Sequence, residues 1–476
     1  MSTHPATAPS PHRGLALALI AAAQFVVIMD TSIIGVALPD IQRELGFPPG
    51  SLSWVFNAYV IAFGGLLLLG GRLADILGAR KIFATGWAVL IVGSVIAGAA
   101  SSVGAEIAGR AIQGAGAALI APAALSLLIA VFGGTPQLSK AFAVYGAAAP
   151  IGGTVGVFLG GVLTEFASWP WVFYATIPIA VLVLALTTIA LPRTYTRTTG
   201  RVDVGGAITA TAGLAALVYG VVRAPELGWT SLATLSAGGV GVVLVAVFFL
   251  IQARSRQPLL RLGLLRAPQL GVANVAQLLL GAAWVTMWFF LNLYLQQVLG
   301  ASAFLAGAAL LPMTGLIVVG MVAVAPRLQA RFGSKPLITT GLLILAVGLV
   351  WLSLASPDGT YLTDVLPGSL LAAAGMALAF VPSLGTAIGA APQAETGVAS
   401  GLVSTSYQIG SALGLAAFAA VAAAITGDST TAVALTTGYS AAFLGAAAVA
   451  IAGAVVATFA FRPAPSEAVG PEGVDA

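Results

Sequence analysis

Two charged side chains stand where charge is costly. Asp30 lies in the apolar run Phe25-Val-Val-Ile-Met29-Asp30-Thr31-Ser-Ile-Ile34, and Arg110 lies in Glu106-Ile-Ala-Gly109-Arg110-Ala-Ile-Gln113-Gly114. A charge at the centre of a bilayer costs about 2.5–3.5 kcal/mol on insertion scales. A carboxyl group escapes part of that cost by taking up a proton, which is what a proton-coupled machine needs. Arginine has no such escape, because its guanidinium stays protonated. Arg110 beside Asp30 favours the carboxylate; Arg110 moved away lets Asp30 bind a proton. Glu106 shares a helix face with Arg110 at i,i+4 spacing and is a candidate resting partner for it. The structural alternatives are an Asp30 that reaches the headgroups from a helix end, and a static Glu106–Arg110 pair near the outer surface.

Other chemistries find few residues to use. There is no cysteine, so disulfides, thiolate metal sites and thiol catalysis are excluded. The two histidines, His4 and His12, fall in the Pro/Ser/Thr-rich start. No nucleophile–base set, metal cluster or cofactor motif is visible, so an enzyme is not expected and neither is a cofactor.

The elements that hold these charges must be membrane helices. Of 476 residues, 59% are hydrophobic and 7% charged, against roughly 25% charged in soluble domains. A helical span needs about 20 largely apolar residues, and fourteen such segments are readable. They are 14–36, 51–71, 82–100, 103–125, 139–163, 170–191, 203–222, 231–252, 269–298, 303–325, 337–355, 364–389, 398–425 and 438–461. Helix is the state expected, since backbone groups in lipid must be satisfied within the segment. Arg13 before the first run resembles a signal-peptide start, but the run is too long, and a retained first span is expected.

Lysine and arginine orient the spans. With the N-terminus in the cytoplasm, sixteen of the 19 fall on cytoplasmic segments: Arg13, Arg72, Arg80, Lys81, Lys140, Arg193, Arg197, Arg201, Arg254, Arg256, Arg261, Arg266, Arg327, Arg331, Lys335 and Arg462. Only Arg43 and Arg223 fall outside, and Arg110 lies within a span. Both termini are therefore expected in the cytoplasm of a cell (plasma or inner) membrane. The charges are scattered over separate loops, so no nucleic-acid partner is expected. On this scheme Asp30 and Arg110 lie at similar depth, 6 and 7 residues from the outer ends of spans 1 and 4.

A repeat runs through the loops. Arg72-Leu73…Gly78…Arg80-Lys81…Gly86 returns as Arg327-Leu328…Gly333…Lys335…Gly341, and Leu45-Gly46 as Leu299-Gly300. The expected organisation is a disordered cytoplasmic start (1–13), a six-helix bundle (14–191), an inserted helix pair (203–252), a second six-helix bundle (269–461) and a cytoplasmic tail (462–476). Such repeats around a midplane site build many secondary transporters.

Span 5 is rich in glycine, with Gly146, Pro150, Gly152, Gly153, Gly156, Gly160 and Gly161, which allows close approach and bending. Candidate cavity residues are Trp54, Asn57 and Tyr59 in span 2, Gln113 in span 4, Trp284, Trp288 and Asn292 in span 9, and Tyr407 with Gln408 in span 13. Aromatic faces suit flat, lipophilic or cationic ligands, although tryptophan and tyrosine also form interfacial belts.

These motifs resemble those of the major facilitator superfamily. Gly71-Arg72-Leu73-Ala74-Asp75-x-x-Gly78-x-Arg80-Lys81 resembles its loop 2–3 motif. Asp30-Thr-Ser-Ile-Ile-Gly-Val-Ala-Leu38-Pro39-Asp-Ile41 resembles the span 1 motif of its fourteen-helix drug:proton antiporters. Arg110-Ala-Ile-Gln113-Gly114-Ala-Gly116 is similar to the span 4 motif whose arginine is linked to proton transfer. Gly156-Val-Phe-Leu-Gly160-Gly161 is similar to the span 5 antiporter motif. Two departures stand out: the family has Gly-Pro at Gly156-Val157, and often Trp-Arg-Trp at Trp169-Pro170-Trp171.

The resemblance implies an all-α major facilitator fold of fourteen transmembrane helices in a 6 + 2 + 6 plan with a pseudo-twofold repeat. It implies that Asp75 caps a helix end across the two halves in one access state, with Arg80 as partner. The expected function is proton-driven export of small lipophilic compounds by a monomer working with a small-molecule substrate, protons and the lipid bilayer. In that cycle Asp30 takes a proton as substrate leaves outward and gives it up inside. A proton-coupled importer of a nutrient-like solute, or a membrane sensor, would use the same fold.

Overall fold

The computed structural model describes residues 13–48, 51–133, 135–192, 203–255, 258–260, 262–263, 268–390, 396–427 and 429–461. His4, His12, Arg193, Arg197, Arg201, Arg256, Arg261, Arg266, Arg462 and the expected tail lie outside them, as does the expected disordered start except for Arg13. Every regular element among the described residues is helical. Fourteen segments are long and apolar enough to cross a membrane, the number expected.

In order these are α1 (Arg13–Leu45), α2 (Trp54–Leu77), α3 (Ala79–Gly98), α4 (Val103–Phe132), α5 (Leu138–Phe166), the short α6 (Trp171–Tyr174) running into α7 (Thr176–Ala190), α8 (Val204–Leu227) and α9 (Leu232–Arg254). Then come α10 (Pro268–Leu293) with a π-helical end Tyr294–Val298, and a composite span of α11 (Ala303–Ala309), α12 (Leu311–Val319), a π turn Gly320–Val324 and α13 (Ala325–Phe332). The last four are α14 (Ser334–Ser353), α15 (Leu366–Gly389) led by a π turn Tyr361–Val365, α16 (Thr396–Thr426) and α17 (Ala432–Ala460). Large apolar side chains face outward along them, among them Leu182, Ile189, Leu232, Val242, Val243 and Leu250. Only lipid is a favourable neighbour for that much exposed apolar surface.

One boundary changes the reading of the site. The first span was expected to end near residue 36, but α1 runs on through Pro39 to Leu45. A proline inside a helix removes one backbone hydrogen bond without ending the helix, and membrane helices tolerate it. Asp30 therefore sits near the middle of a 33-residue helix, rather than six residues from its end.

The loop repeat is also a backbone repeat. Gly78 and Gly333 have φ of 95° and 80°, each ending one helix and starting the next. Gly46 and Gly300 match at 72° and 67°. A residue with a side chain is strained in this left-handed region, which is why glycine recurs at nearly the same offset in both pairs. The helix crossings repeat too: Gly86 meets the Gly116 backbone between α3 and α4, and Gly341 meets the Gly375 backbone between α14 and α15.

Glycines of α5 set the position of α1. A Cβ at Gly152 would strike the Phe25 carbonyl, one at Gly156 the Met29 carbonyl at 2.8 Å, and one at Gly160 the Ile33 carbonyl at 2.5 Å. This i,i+4,i+8 row brackets Asp30 on α1, so the two backbones touch around it. Gly161 instead abuts the Ala303 backbone of α11, while Gly153 has nothing nearer than 3.6 Å. The α8–α9 pair lies against α2, through Thr211 at Gly65 and Tyr219 against Trp54.

Candidate functional site

Asp30, Arg110 and Gln113 meet in the interior. All three are at most 1% exposed. Arg110 Nη1 donates to Asp30 Oδ2 at 3.0 Å and to Gln113 Oε1 at 2.8 Å. Gln113 Nε2 donates to Asp30 Oδ1 at 3.0 Å and to Ser94 Oγ at 2.9 Å, and Ser94 in turn pairs with Thr176 Oγ1 at 3.1 Å. Arg110 Nε donates to the Val55 carbonyl at 2.9 Å. The guanidinium carbon lies 4.5 Å from the Tyr59 ring centroid, and Tyr59 itself reaches the Val27 carbonyl.

Local packing explains why these groups converge. Gly109 fits against Ala97 of α3, and Gly114 against the Tyr59 backbone of α2, so α4 is drawn close to both neighbours. Gln113 stands three residues from Arg110 on the same face and bridges the gap to Asp30. A buried ion pair needs its remaining hydrogen-bonding capacity satisfied, since losing one partner leaves an uncompensated charge costing about 3–5 kcal/mol.

Glu106 departs from expectation. It is fully buried, yet both carboxyl oxygens lack a hydrogen-bond partner among the described residues, and Arg110 is turned to Asp30. Arg110 Nη2 is also without a hydrogen-bond partner among the described residues.

The loop 2–3 residues sit at the opposite end of the bundle from the α1–α2 connection. Gly71 and Asp75 lie in the last turns of α2, Gly78 forms the turn, and Lys81 is exposed. Arg80, expected as the partner of Asp75 in one access state, donates from Nη1 to the Leu191 carbonyl at 3.1 Å, capping the end of α7. A guanidinium complements the carbonyl-rich C-terminus of a helix.

The expected cavity residues scatter. Tyr59 and Gln113 belong to the charge network. Trp54 packs on Tyr219. Trp288 wedges against Gly35 of α1 and stacks edge-on with Phe56 at 5.4 Å. Asn292 is buried and donates to the Trp288 carbonyl, and Trp284 is half-buried. Tyr407 stacks on Phe380, and Gln408 lies under Gly64. Asn57 is fully buried, with no hydrogen-bond partner for its amide among the described residues.

A second polar cluster, without a motif to announce it, ties α1 to α10 and α17 at the end of the bundle near Gly46. Gln296 Nε2 donates to the Val36 carbonyl at 2.9 Å, Gln297 Nε2 to Gln42 Oε1 at 3.0 Å, and Tyr439 Oη to Gln297 Oε1 at 2.6 Å. With Trp288 on Gly35, and Gly161 against α11, these contacts close the Gly46 end. A cavity of about 470 Å³ lies there, bordered by Gln42, Phe289, Phe290, Gln297 and Tyr439, and none of the expected cavity residues lines it.

Comparison with known proteins adds a second line of observation. The family model described as Major Facilitator Superfamily matches residues 20–415. The cephamycin export protein CmcT of Amycolatopsis lactamdurans is 41% identical over 444 residues, covering 93% of this chain and 91% of that protein. The puromycin resistance protein pur8 of Streptomyces alboniger is 38% identical over 413 residues, covering 86% and 81%. Among solved structures, the POT family transporter PepTSo superposes with a TM-score of 0.66 at 17% identity, over 95% of this chain and 97% of that one.

Proposed function

Since the chain belongs to the major facilitator superfamily, we propose that it is a proton-coupled exporter of small lipophilic compounds, antibiotics among them. The observation that carries the reading is the buried Asp30–Arg110 pair completed by Gln113. An ion pair at zero exposure is a poor way to stabilise a fold and a good way to store a choice between two protonation states. The names of the relatives, one a cephamycin exporter and one a puromycin resistance protein, support export and the substrate class.

The chain is read as sitting in the cell membrane with both termini in the cytoplasm, on the strength of its Lys/Arg distribution. Two six-helix bundles, 14–191 and 269–461, rock about the midplane with the pair 203–252 inserted between them, and the protein acts as a monomer. The conformation with a closed Gly46 end is then the one closed to the outside. Helix α1 links chemistry to movement, because it carries Asp30 and, five to twelve residues on, Gly35, Val36 and Gln42 of the closed end. In the outward-open form a proton on Asp30 weakens its hold on Arg110 and frees α1 from α4 as substrate leaves, and the protonated form then closes outward and opens to the cytoplasm. Proton release to the cytoplasm restores the pair and favours substrate loading. Asp75, Gly78 and Arg80 act at the opposite end, holding the α2–α3 turn and the end of α7.

Inside-out vesicles test the direction. With puromycin and a cephamycin as probes, an acid-inside gradient is expected to drive their uptake. Uptake by right-side-out vesicles under an inward proton gradient would instead mean import.

A further inference from the structure

Glu106 is buried, has no hydrogen-bond partner for either carboxyl oxygen among the described residues, and stands one helical turn from Arg110. An ionised carboxylate in that position would be stripped of water with nothing to replace it. Arg110 is the nearest cation on its face, and Arg110 spends Nη1 on Asp30 and Gln113 and Nε on Val55. Among the described residues, the groups packed around the Arg110 turn of α4 bring no other cation: α1 contributes Asp30, α2 contributes Tyr59, α3 contributes Ala97 and Ser94, and α6 contributes Phe173, 6.0 Å from the guanidinium carbon.

Resting on the proton-coupled reading above, we propose that Glu106 is a second proton-binding group, which holds a proton while Asp30 is paired with Arg110 and loses it when Arg110 turns to Glu106. One guanidinium serves two carboxyl groups, so one is ionised and the other neutral at any time. In the exchange the O–H bond of Glu106 breaks and a new one forms on Asp30. Arg110 Nη moves about one helical turn, 5.4 Å, along α4, and the net charge of the site is unchanged.

Placement gives the exchange a direction. Glu106 lies in the first turn of α4, next to the exposed Ser101 and Ser102, whereas Asp30 lies mid-helix. The helix N-terminus favours a negative charge there, so Glu106 is able to ionise once Arg110 reaches it. Glu106 is thus the station that exchanges protons with the Gly46 side, and Asp30 the one behind it.

Infrared spectroscopy of the purified full chain in lipid nanodiscs at pH 7 tests this without any substrate. The wild type is expected to show a protonated-carboxyl band that is lost in Glu106→Gln. In Asp30→Asn the freed Arg110 pairs with Glu106 and ionises it, so the band disappears there as well. A band that persists in Glu106→Gln, or in Asp30→Asn, overturns the proposal, as does its absence from the wild type. Glu106→Gln keeps the shape and neutrality of the protonated side chain, and its unfolding temperature checks that it folds. Proton-driven transport by Asp30→Asn is a separate readout, so failure of the exporter reading would be seen independently of this result.

Discussion

Replacing Gln113 with leucine removes the bridge of the charge network while keeping nearly the same volume. Gln113 makes three side-chain hydrogen bonds, two of them to the ion pair. Bonds to charged groups contribute about 1.5–3 kcal/mol each in water-soluble proteins, whereas interhelical bonds in a membrane protein average about 0.6 kcal/mol. The higher range governs here, because Asp30 Oδ1 would be left at zero exposure without its donor. The expected loss is about 2–4 kcal/mol, roughly 30- to 1,000-fold in the unfolding equilibrium. Unfolding by titration with SDS in mixed micelles measures it. Ser94→Ala, which removes only the outermost of the three partners, should cost under about 1.5 kcal/mol. A Gln113→Leu loss below that of Ser94→Ala would refute the claim that Gln113 holds the ion pair together.

Other perturbations separate packing from gating. Gly156→Leu places a side chain against the Met29 backbone and should abolish folded protein by size exclusion, whereas Gly153→Ala, with its neighbours at 3.6 Å or beyond, should leave yield unchanged. Tyr439→Phe removes the 2.6 Å bond to Gln297 at the closed end. Because the chain has no cysteine, Leu293→Cys beside the 470 Å³ cavity reports access directly, and Tyr439→Phe should raise its labelling rate by a polar maleimide severalfold. Trp288→Ala empties the wedge between Gly35 and Phe56 and should cost about 3–5 kcal/mol while increasing the same labelling.

Sequence and structure agree where physics leaves a loud signal. Asp30 and Arg110 announce themselves as charges in apolar runs, and fourteen helices follow from run length. The glycines at 46, 78, 300 and 333 are legible as a repeat because each serves a backbone conformation that side chains avoid. Depth was harder. The first span was expected to end near residue 36, yet the helix runs on through Pro39 to Leu45, and Asp30 moved from near the surface to mid-helix. Partner choice was harder still: the sequence left Arg110 between Asp30 and Glu106, and contact across helices pairs it with Asp30 and Gln113. The spacing of Gln113, three residues from Arg110, was the signal for its role. Gln42, Gln296, Gln297 and Tyr439 carried no signal, since their meaning lies in which helices face each other across the bundle. The ring contacts of Trp54 with Tyr219 and of Trp288 with Phe56 are likewise invisible in spacing alone.

The most direct test of the Asp30–Arg110 account compares wild type with Asp30→Asn in proteoliposomes, using a compound that a susceptibility panel shows the wild type to export. Uptake driven by an acid-inside gradient should fall at least tenfold in Asp30→Asn, while exchange of labelled for unlabelled compound, which needs no net proton movement, continues. Gradient-driven uptake equal to wild type would contradict the account, because the buried pair would then hold the helices together and carry no proton.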